Sequence, residues 1–145
     1  MTVVFEYREM TKDEYKREQL VFDNQNIEFG NSKEIEKRFG YVATDNGVFV
    51  GASSGLIQKY GDQFGTYFYL SDLVVEKEYR KQGYGKKLLE LLEAKVKSLG
   101  AKYIWTWTAT YEAESFYTKL GYETFTRFEK YYPSGHARVG LMKKL

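Results

Sequence analysis

The densest group of chemistry-bearing residues is Val75-Glu76-Lys77-Glu78-Tyr79-Arg80-Lys81-Gln82-Gly83-Tyr84-Gly85-Lys86-Lys87-Leu88-Leu89. It reads as a strand end, a basic turn with two glycines and a helix start. The first N–H groups of a helix have no internal acceptor and point outward. The helix dipole adds partial positive charge at the same end. Glycine lets the backbone approach a ligand with no side chain in between. Lys77, Arg80, Lys81, Lys86 and Lys87 surround the turn with full charges. Together these suit phosphate oxygens. On the local pattern alone, a strand-to-helix turn with a solvated basic face fits equally well. Two other phosphate-binding patterns do not fit. A dinucleotide fingerprint needs a third glycine where Leu88 stands. A P-loop ends in Gly-Lys-Ser/Thr, and this chain has Gly85-Lys86-Lys87.

Other chemistries are excluded by residue type. The 145-residue chain has no Cys, which removes disulfides, a thiolate nucleophile and a Cys-ligated metal. Its one His, His136, stands alone, so no metal-ligating His cluster exists. A Ser-His-Asp site would rest on that His, and the nucleophile elbow with its flanking glycines is missing. The formal net charge of +2 favours no charged partner class, and acids are interspersed with the basic cluster, which argues against nucleic acid. No apolar run approaches the roughly 20 residues of a membrane span. Met1 to Arg8 lacks a basic-then-apolar pattern, so the expected location is cytoplasmic with no membrane partner. Aromatic residues make up 18% of the chain, enough to line both a core and a cleft with rings.

The elements that must hold the turn can be read from periodicity. Thr2 to Glu9 alternates like a half-buried strand. Thr11 with Glu14 forms a capping box that opens a helix through about Phe22. Asp23 to Gly30 reads as a loop, and Ser32 to Phe39 as a short helix stopped by Gly40. Asn46-Gly47 is a hairpin turn between Tyr41–Thr44 and a strand from Val48 to Tyr60, in which Gly51 and Gly55 mark bends. Thr66 to Val75 is a third antiparallel strand. From Gly83 to Leu99, Leu88, Leu92, Val96 and Leu99 recur at helical spacing, with Glu93 and Lys97 paired on the outer face and Gly100 as the stop. Tyr103 to Thr108 is a strand, Ala113 to Leu120 a short helix, and Tyr122–Tyr131 and Ala137–Leu145 the last two strands. The expected architecture is one α/β domain over residues 1–145. Its core is a mixed, mostly antiparallel sheet of about seven strands flanked by about four helices.

The glycine turn resembles the acyl-CoA motif of the GNAT superfamily of N-acyltransferases, Arg/Gln-x-x-Gly-x-Gly/Ala, which Arg80, Gly83 and Gly85 match position for position. Leu73-Val74-Val75 precedes Arg80 at the family's usual spacing; Lys77 stands where Pro is frequent. Downstream, Ala113-Glu114-Ser115-Phe116-Tyr117-Thr118-Lys119-Leu120-Gly121-Tyr122 is similar to the family's Ala-x-x-Phe-Tyr-x-Lys-x-Gly-Phe/Tyr. Two motifs in the right order on the right elements make the resemblance specific.

The resemblance implies the rest of the site. CoA pyrophosphate would lie on the backbone of Lys81, Gln82, Gly83, Tyr84, Gly85 and Lys86, beside Arg80. The pantetheine arm would pair with Leu73, Val74 and Val75, in a sheet splayed between its fourth and fifth strands by a bulge that no Gly or Pro marks. Thr110 replaces the family's frequent pantetheine-binding Asn; Ser115, Phe116 and Lys119 would face the cofactor from the short helix. Tyr117 would be the general acid and Asp72 the general base, acting directly or through water. A strand N–H near Leu73 or Val74 would stabilise the oxyanion. The acceptor would be a primary amine of a small molecule or peptide, bordered by Phe22, Glu28, Tyr69, Trp105, Trp107, Tyr132 and His136. Dimers are common in the family, so the resemblance implies a possible homodimer. The implied activity is acetyl-CoA-dependent N-acetylation; the alternative is a non-catalytic acyl-CoA-binding or sensing module on the same fold.

Overall fold

The computed structural model describes residues 2–111 and 113–145. Helix α1 runs Lys12–Glu28. Strands β1 (Glu34–Asp45), β2 (Val48–Tyr60) and β3 (Gln63–Val75) follow as an antiparallel meander. A 3-10 turn, Lys77–Tyr79, leads to α2 (Tyr84–Ser98). Then come β4 (Tyr103–Ala109), α3 (Glu114–Lys119), β5 (Glu123–Phe128) and β6 (Arg138–Lys144). The sheet order is β1-β2-β3-β4-β6-β5. Its one parallel pair is β3 with β4, joined through α2; the other neighbours are antiparallel.

The hairpin chemistry is as the sequence dictates. Asp45 pairs with Val48 around Asn46 (φ 47°) and Gly47 (φ 81°), both left-handed, as a two-residue turn between twisted strands requires. Helix α2 lies across β1, β2 and β3. It buries Leu88, Leu89, Leu92 and Val96 against Ile57, Phe68, Leu70, Ile104, Val139 and Leu141. Each such aliphatic side chain contributes roughly 1.5–3 kcal/mol. Ser53 Oγ, fully buried, donates to the Leu88 carbonyl at 2.8 Å and fixes the helix along the sheet.

The structure corrects several expectations. The described sheet has six strands, and the described helices are three α-helices and one 3-10 turn. Thr2 to Glu9 forms no strand: alternation says which residues would share a face, but the segment pairs with neither edge strand of the sheet, β1 or β5. Arg8 instead forks onto Glu14 at 2.7 and 3.0 Å and holds that carboxyl down at a pKa of about 2. Helix α1 runs past Phe22 to Glu28, because Asp23-Asn24-Gln25-Asn26 is polar yet contains no breaker before Gly30 (φ 87°). Ser32 to Phe39 is not a helix: Glu34 to Phe39 is the first part of β1, since Phe39 and Tyr41 pack on the core as strand neighbours and pairing overrides helix propensity. Gly40 is no helix stop: a Cβ there would sit 2.0 Å from the Ser53 carbonyl oxygen. Glu93 is not on the outer face with Lys97; it is buried, accepts from Tyr122 Oη at 2.7 Å and meets Lys143 Nζ at 3.2 Å. The expected fourth and fifth strands are therefore β3 and β4.

A cleft where two parallel strands part

The site begins with one extra residue. Ser54 pairs with Asp72 but Gly55 pairs with Leu70, so Ser71 is a bulge in β3. Gly55 permits it; a Cβ there would lie 2.0 Å from the Tyr69 carbonyl oxygen and 2.6 Å from the Phe68 ring. A bulge switches which side chains face which side. Before it, Phe68 and Leu70 face the core; after it, Leu73 does. Asp72 consequently shares the opposite face with Tyr69. Asp72 Oδ2 accepts from Ser71 Oγ at 2.7 Å. No Gly or Pro in β3 signals the bulge; the signal lies in the partner strand, at Gly55.

The bulge coincides with the end of the parallel ladder. β3 and β4 pair only at Tyr67↔Tyr103, Phe68↔Ile104 and Tyr69↔Trp105. Beyond them the strands part, as the family resemblance implied, and enclose a cleft of about 880 Å³. Leu73, Val74 and Val75 form one wall, Thr106, Trp107 and Thr108 the other, and Arg80, Lys81 and Gly85 one end. Ala113, Phe116 and Tyr117 come from the α3 region, and Asp72 lies at the open side. The pairing of β3 with β2 continues to Gly51↔Val75, so only the cleft-side edge of Leu73–Val75 lacks a strand partner.

The glycine turn closes the cleft end. Lys81 (φ 62°) and Gly83 (φ 86°) are both left-handed, a conformation that turns successive N–H groups toward one concavity. The first helical bond of α2 runs from Lys87 N to Gly83 O at 3.1 Å. Among the described residues, no backbone N–H from Lys81 to Lys86 donates to a protein acceptor. The contrast with α1 is direct: α1 has a full capping box and two acids in its first turn, whereas α2 has no side-chain cap and no acid. Its positive end is left open. Gly85 has an ordinary φ, and a Cβ would meet only Val75 and Phe116 at 3.7 and 3.9 Å. Protein neighbours thus do not require glycine there, at a position that lines the cleft. Arg80 Nε donates to the Val75 carbonyl at 3.0 Å, tying the turn to the strand end. Tyr79 Oη donates to Asp45 at 2.9 Å, which also pushes the Tyr79 pKa up.

The structure brings many, though not all, of the predicted residues together. Asp72, Leu73, Val74, Val75, Arg80, Lys81, Gly85, Phe116, Tyr117 and Trp107 all line the cleft. Lys86, Ser115 and Lys119 line a neighbouring hollow of about 420 Å³ that shares Phe116. Gln82, Gly83 and Tyr84 are exposed on the turn between them. Tyr117 is 6% exposed, with its ring 5.3 Å from those of Phe116 and Tyr122. Tyr69 stacks on Trp105 at 4.5 Å, and Trp105 meets Trp107 edge-on at 5.9 Å, so a row of rings runs from β3 into the cleft wall. Tyr132 and His136 both pack on Tyr111, at 5.8 and 4.8 Å, in the loop region beyond β4. Thr110 does not line the cleft; its N–H donates to Ala137 O at 3.1 Å. Phe22 lines a separate hollow with Glu34, Glu36 and Gln58, and Glu28 is exposed near the end of α1.

Sequence reasoning missed Thr106, Thr108 and Arg138. Thr106 and Thr108 look like ordinary alternating strand residues, and only the splay gives them a cleft. Arg138 lies with its guanidinium 5.0 Å above the Trp107 ring and 5.2 Å above Tyr131, and donates to Tyr131 Oη at 3.1 Å.

Comparison with known proteins bears on this geometry. The family model described as the acetyltransferase (GNAT) family matches residues 4–122. N-alpha-acetyltransferase 30 of Schizosaccharomyces pombe is 37% identical over 101 residues, 67% of this chain. The aligned region spans 65% of that relative's length. Two solved structures share the fold. An acetyltransferase from Bacillus cereus ATCC 14579 has a TM-score of 0.74 at 23% identity, over 97% of this chain and 98% of that one. An aminoglycoside 6'-N-acetyltransferase complexed with coenzyme A has a TM-score of 0.62 at 24% identity, over 74% and 72%.

Proposed function

Because this chain belongs to the acetyltransferase (GNAT) family, we propose that it moves an acetyl group from acetyl-CoA to a primary amine of a small molecule or peptide, with both substrates bound together in the cleft beside β3. One observation carries the reading: a helix start with six uncommitted N–H groups opens onto a cleft made by two parted parallel strands.

The residues fit the CoA moiety. The N–H groups of Lys81 through Lys86 would receive its phosphates, reinforced by Lys81 and Lys86, and Gly85 keeps the approach clear. The free edge of Leu73–Val75 would bind the amide-bearing arm as an added strand. Ser115, Phe116 and Lys119 would flank it from α3. When bound, acetyl-CoA supplies an activated acyl group. The chain's own work is then orientation and proton handling. A β3 N–H beside the bulge polarises the acyl oxygen. Asp72, exposed and oriented by Ser71, draws the ammonium form of the acceptor and takes its proton directly or through one water. Tyr117 Oη, in its mostly buried setting, donates to the leaving group; a phenol is neutral at pH 7 and able to give a proton to a thiolate. Trp107, Trp105 and Tyr69 give the acceptor an apolar floor.

The test is a CoA titration followed by thermal unfolding, then a panel of amines with acetyl-CoA and a free-thiol readout. Saturating CoA is expected to raise stability by about 2.7 kcal/mol at a hundredfold excess over Kd. An unchanged Tm would remove the cofactor assignment. A Tm rise without thiol release from any amine would leave a sensing module.

A further inference from the structure

Arg138 shares with Arg17 and Arg80 the lack of an ion-pair partner among the described residues, but of the arginines it alone lies over aromatic rings. Arg8, Arg38 and Arg127 each meet a carboxylate. Among the described residues no carboxylate meets Arg138. It is partly buried, spread over two aromatic rings and tied by one N–H to Tyr131 Oη. Ring faces remove water from a guanidinium without neutralising it. The result is a desolvated, pre-positioned fork with donors to spare, the arrangement best matched by a carboxylate or phosphate. Its position gives this meaning. Arg138 pairs with Ala109 on β4 and sits over Trp107, the cleft-wall ring on the same strand. Asp72 lines the same cleft as Trp107, from β3, the neighbour of β4 opposite β6, and also lacks a cationic partner among the described residues. A carboxylate and a guanidinium, neither in an ion pair among the described residues, therefore sit on the two strands that flank β4 and its Trp107, about two strand spacings apart, roughly 10 Å or more between backbones.

We propose that Arg138 is a specificity-determining residue that binds an anionic group on the acceptor, so that the preferred substrate is an amine whose carboxylate or phosphate lies several ångströms from the amine nitrogen. This rests on the transferase reading for the word acceptor; the anion site itself does not. Asp72 engages the ammonium end, Trp107 the apolar span and Arg138 the anionic end. An α-amino acid is too short to reach both charges, and a neutral amine leaves the guanidinium unpaired.

The probes are 6-aminohexanoate and 6-aminohexanamide, which differ in one charge. Both tryptophans, Trp105 and Trp107, belong to the ring row beside Arg138, so intrinsic fluorescence reports binding without any turnover. The carboxylate is expected to give a saturable change at concentrations at least tenfold below the amide, and to be acetylated with at least tenfold higher kcat/KM. Arg138→Gln is expected to erase both preferences, so that the two probes bind and react alike. Arg138→Lys, which keeps the charge and loses the fork, is expected to retain a smaller preference and serves if the Gln variant fails to fold. Equal binding of the two probes, or a preference that survives Arg138→Gln, overturns the proposal. Charge-selective binding that Arg138→Gln abolishes, with no thiol released, upholds the anion site and strikes the transferase reading instead.

Discussion

Thr106 Oγ1 donates to the Leu70 carbonyl at 2.8 Å, at the first step beyond the last paired residues of β3 and β4, Tyr69 and Trp105. A side chain thus takes over where the backbone ladder stops, and it does so one residue before the bulge at Ser71. The bond holds the apex of the cleft. Thr106→Val keeps shape and burial but leaves the Leu70 carbonyl without this donor, a loss of about 1–3 kcal/mol. Urea unfolding should show a lower midpoint at unchanged slope. CoA should bind several-fold more weakly, because the free edge of Leu73–Val75 is no longer fixed relative to β4.

The two turn glycines should separate cleanly. Gly83 has φ 86°, and a Cβ added there would meet nothing within 4 Å, so Gly83→Ala is strained by conformation alone. It should cost about 1–2 kcal/mol of stability. Gly85 sits in the first turn of α2 with an ordinary φ and room for a methyl group. Gly85→Ala should leave stability unchanged or raise it by up to about 1 kcal/mol through helix propensity. It should nevertheless weaken CoA at least tenfold, since the methyl enters the space the phosphates need. Calorimetric CoA titration of both variants checks the contrast; a Gly85→Ala protein with normal CoA affinity would remove the cradle from the site.

What could be read from the sequence follows what physics makes local. The glycine turn, the Asn46-Gly47 hairpin and the α2 stripe depend on residues within a few positions of one another, and each is found where the pattern put it. The β1 segment could not be read, because Ile35 and Phe39 suit a helix face or a strand equally and only pairing with β2 decides between them. The bulge needed two strands at once, Ser71 on one and Gly55 on the other. Arg138 needed three elements, since Trp107 and Tyr131 come from β4 and the β5–β6 connection. Glu93 looked like a surface partner of Lys97 until the fold brought Tyr122 and Lys143 to it.

That buried pair makes a pH-dependent prediction. Tyr122 is 2% exposed, donates to Glu93, and has its pKa driven well above the ordinary phenol value, first by burial and then by the Glu93 charge. A raised folded-state pKa means the stability is fully present below about pH 10, where the unfolded phenol is still protonated. It is lost above that pH as the unfolded chain releases a proton that the folded one keeps. The slope for one such proton is about 1.4 kcal/mol per pH unit. Chemical unfolding at pH 9, 10 and 11 should show the wild type losing more stability over this range than Tyr122→Phe by about that amount. Equal slopes would mean the folded chain does not hold the phenol protonated.

The Tyr117→Phe variant tests whether the cleft catalyses or only binds. The Tyr117 ring is packed between Phe116 and Tyr122, so Tyr117→Phe removes one oxygen and leaves the wall intact. Loss of a general acid typically lowers turnover about 10²–10⁴-fold. CoA affinity should stay within about threefold, because the substitution leaves the N–H groups of Lys81–Lys86 and the wall ring in place. Tyr122→Phe, which alters the neighbouring ring's hydroxyl and not the cleft's, should affect turnover much less. Measuring kcat with the best acceptor from the amine panel, alongside CoA titration of each variant, separates the two roles. Normal kcat in Tyr117→Phe would strike the general-acid role of this phenol and leave the leaving group to be protonated by water.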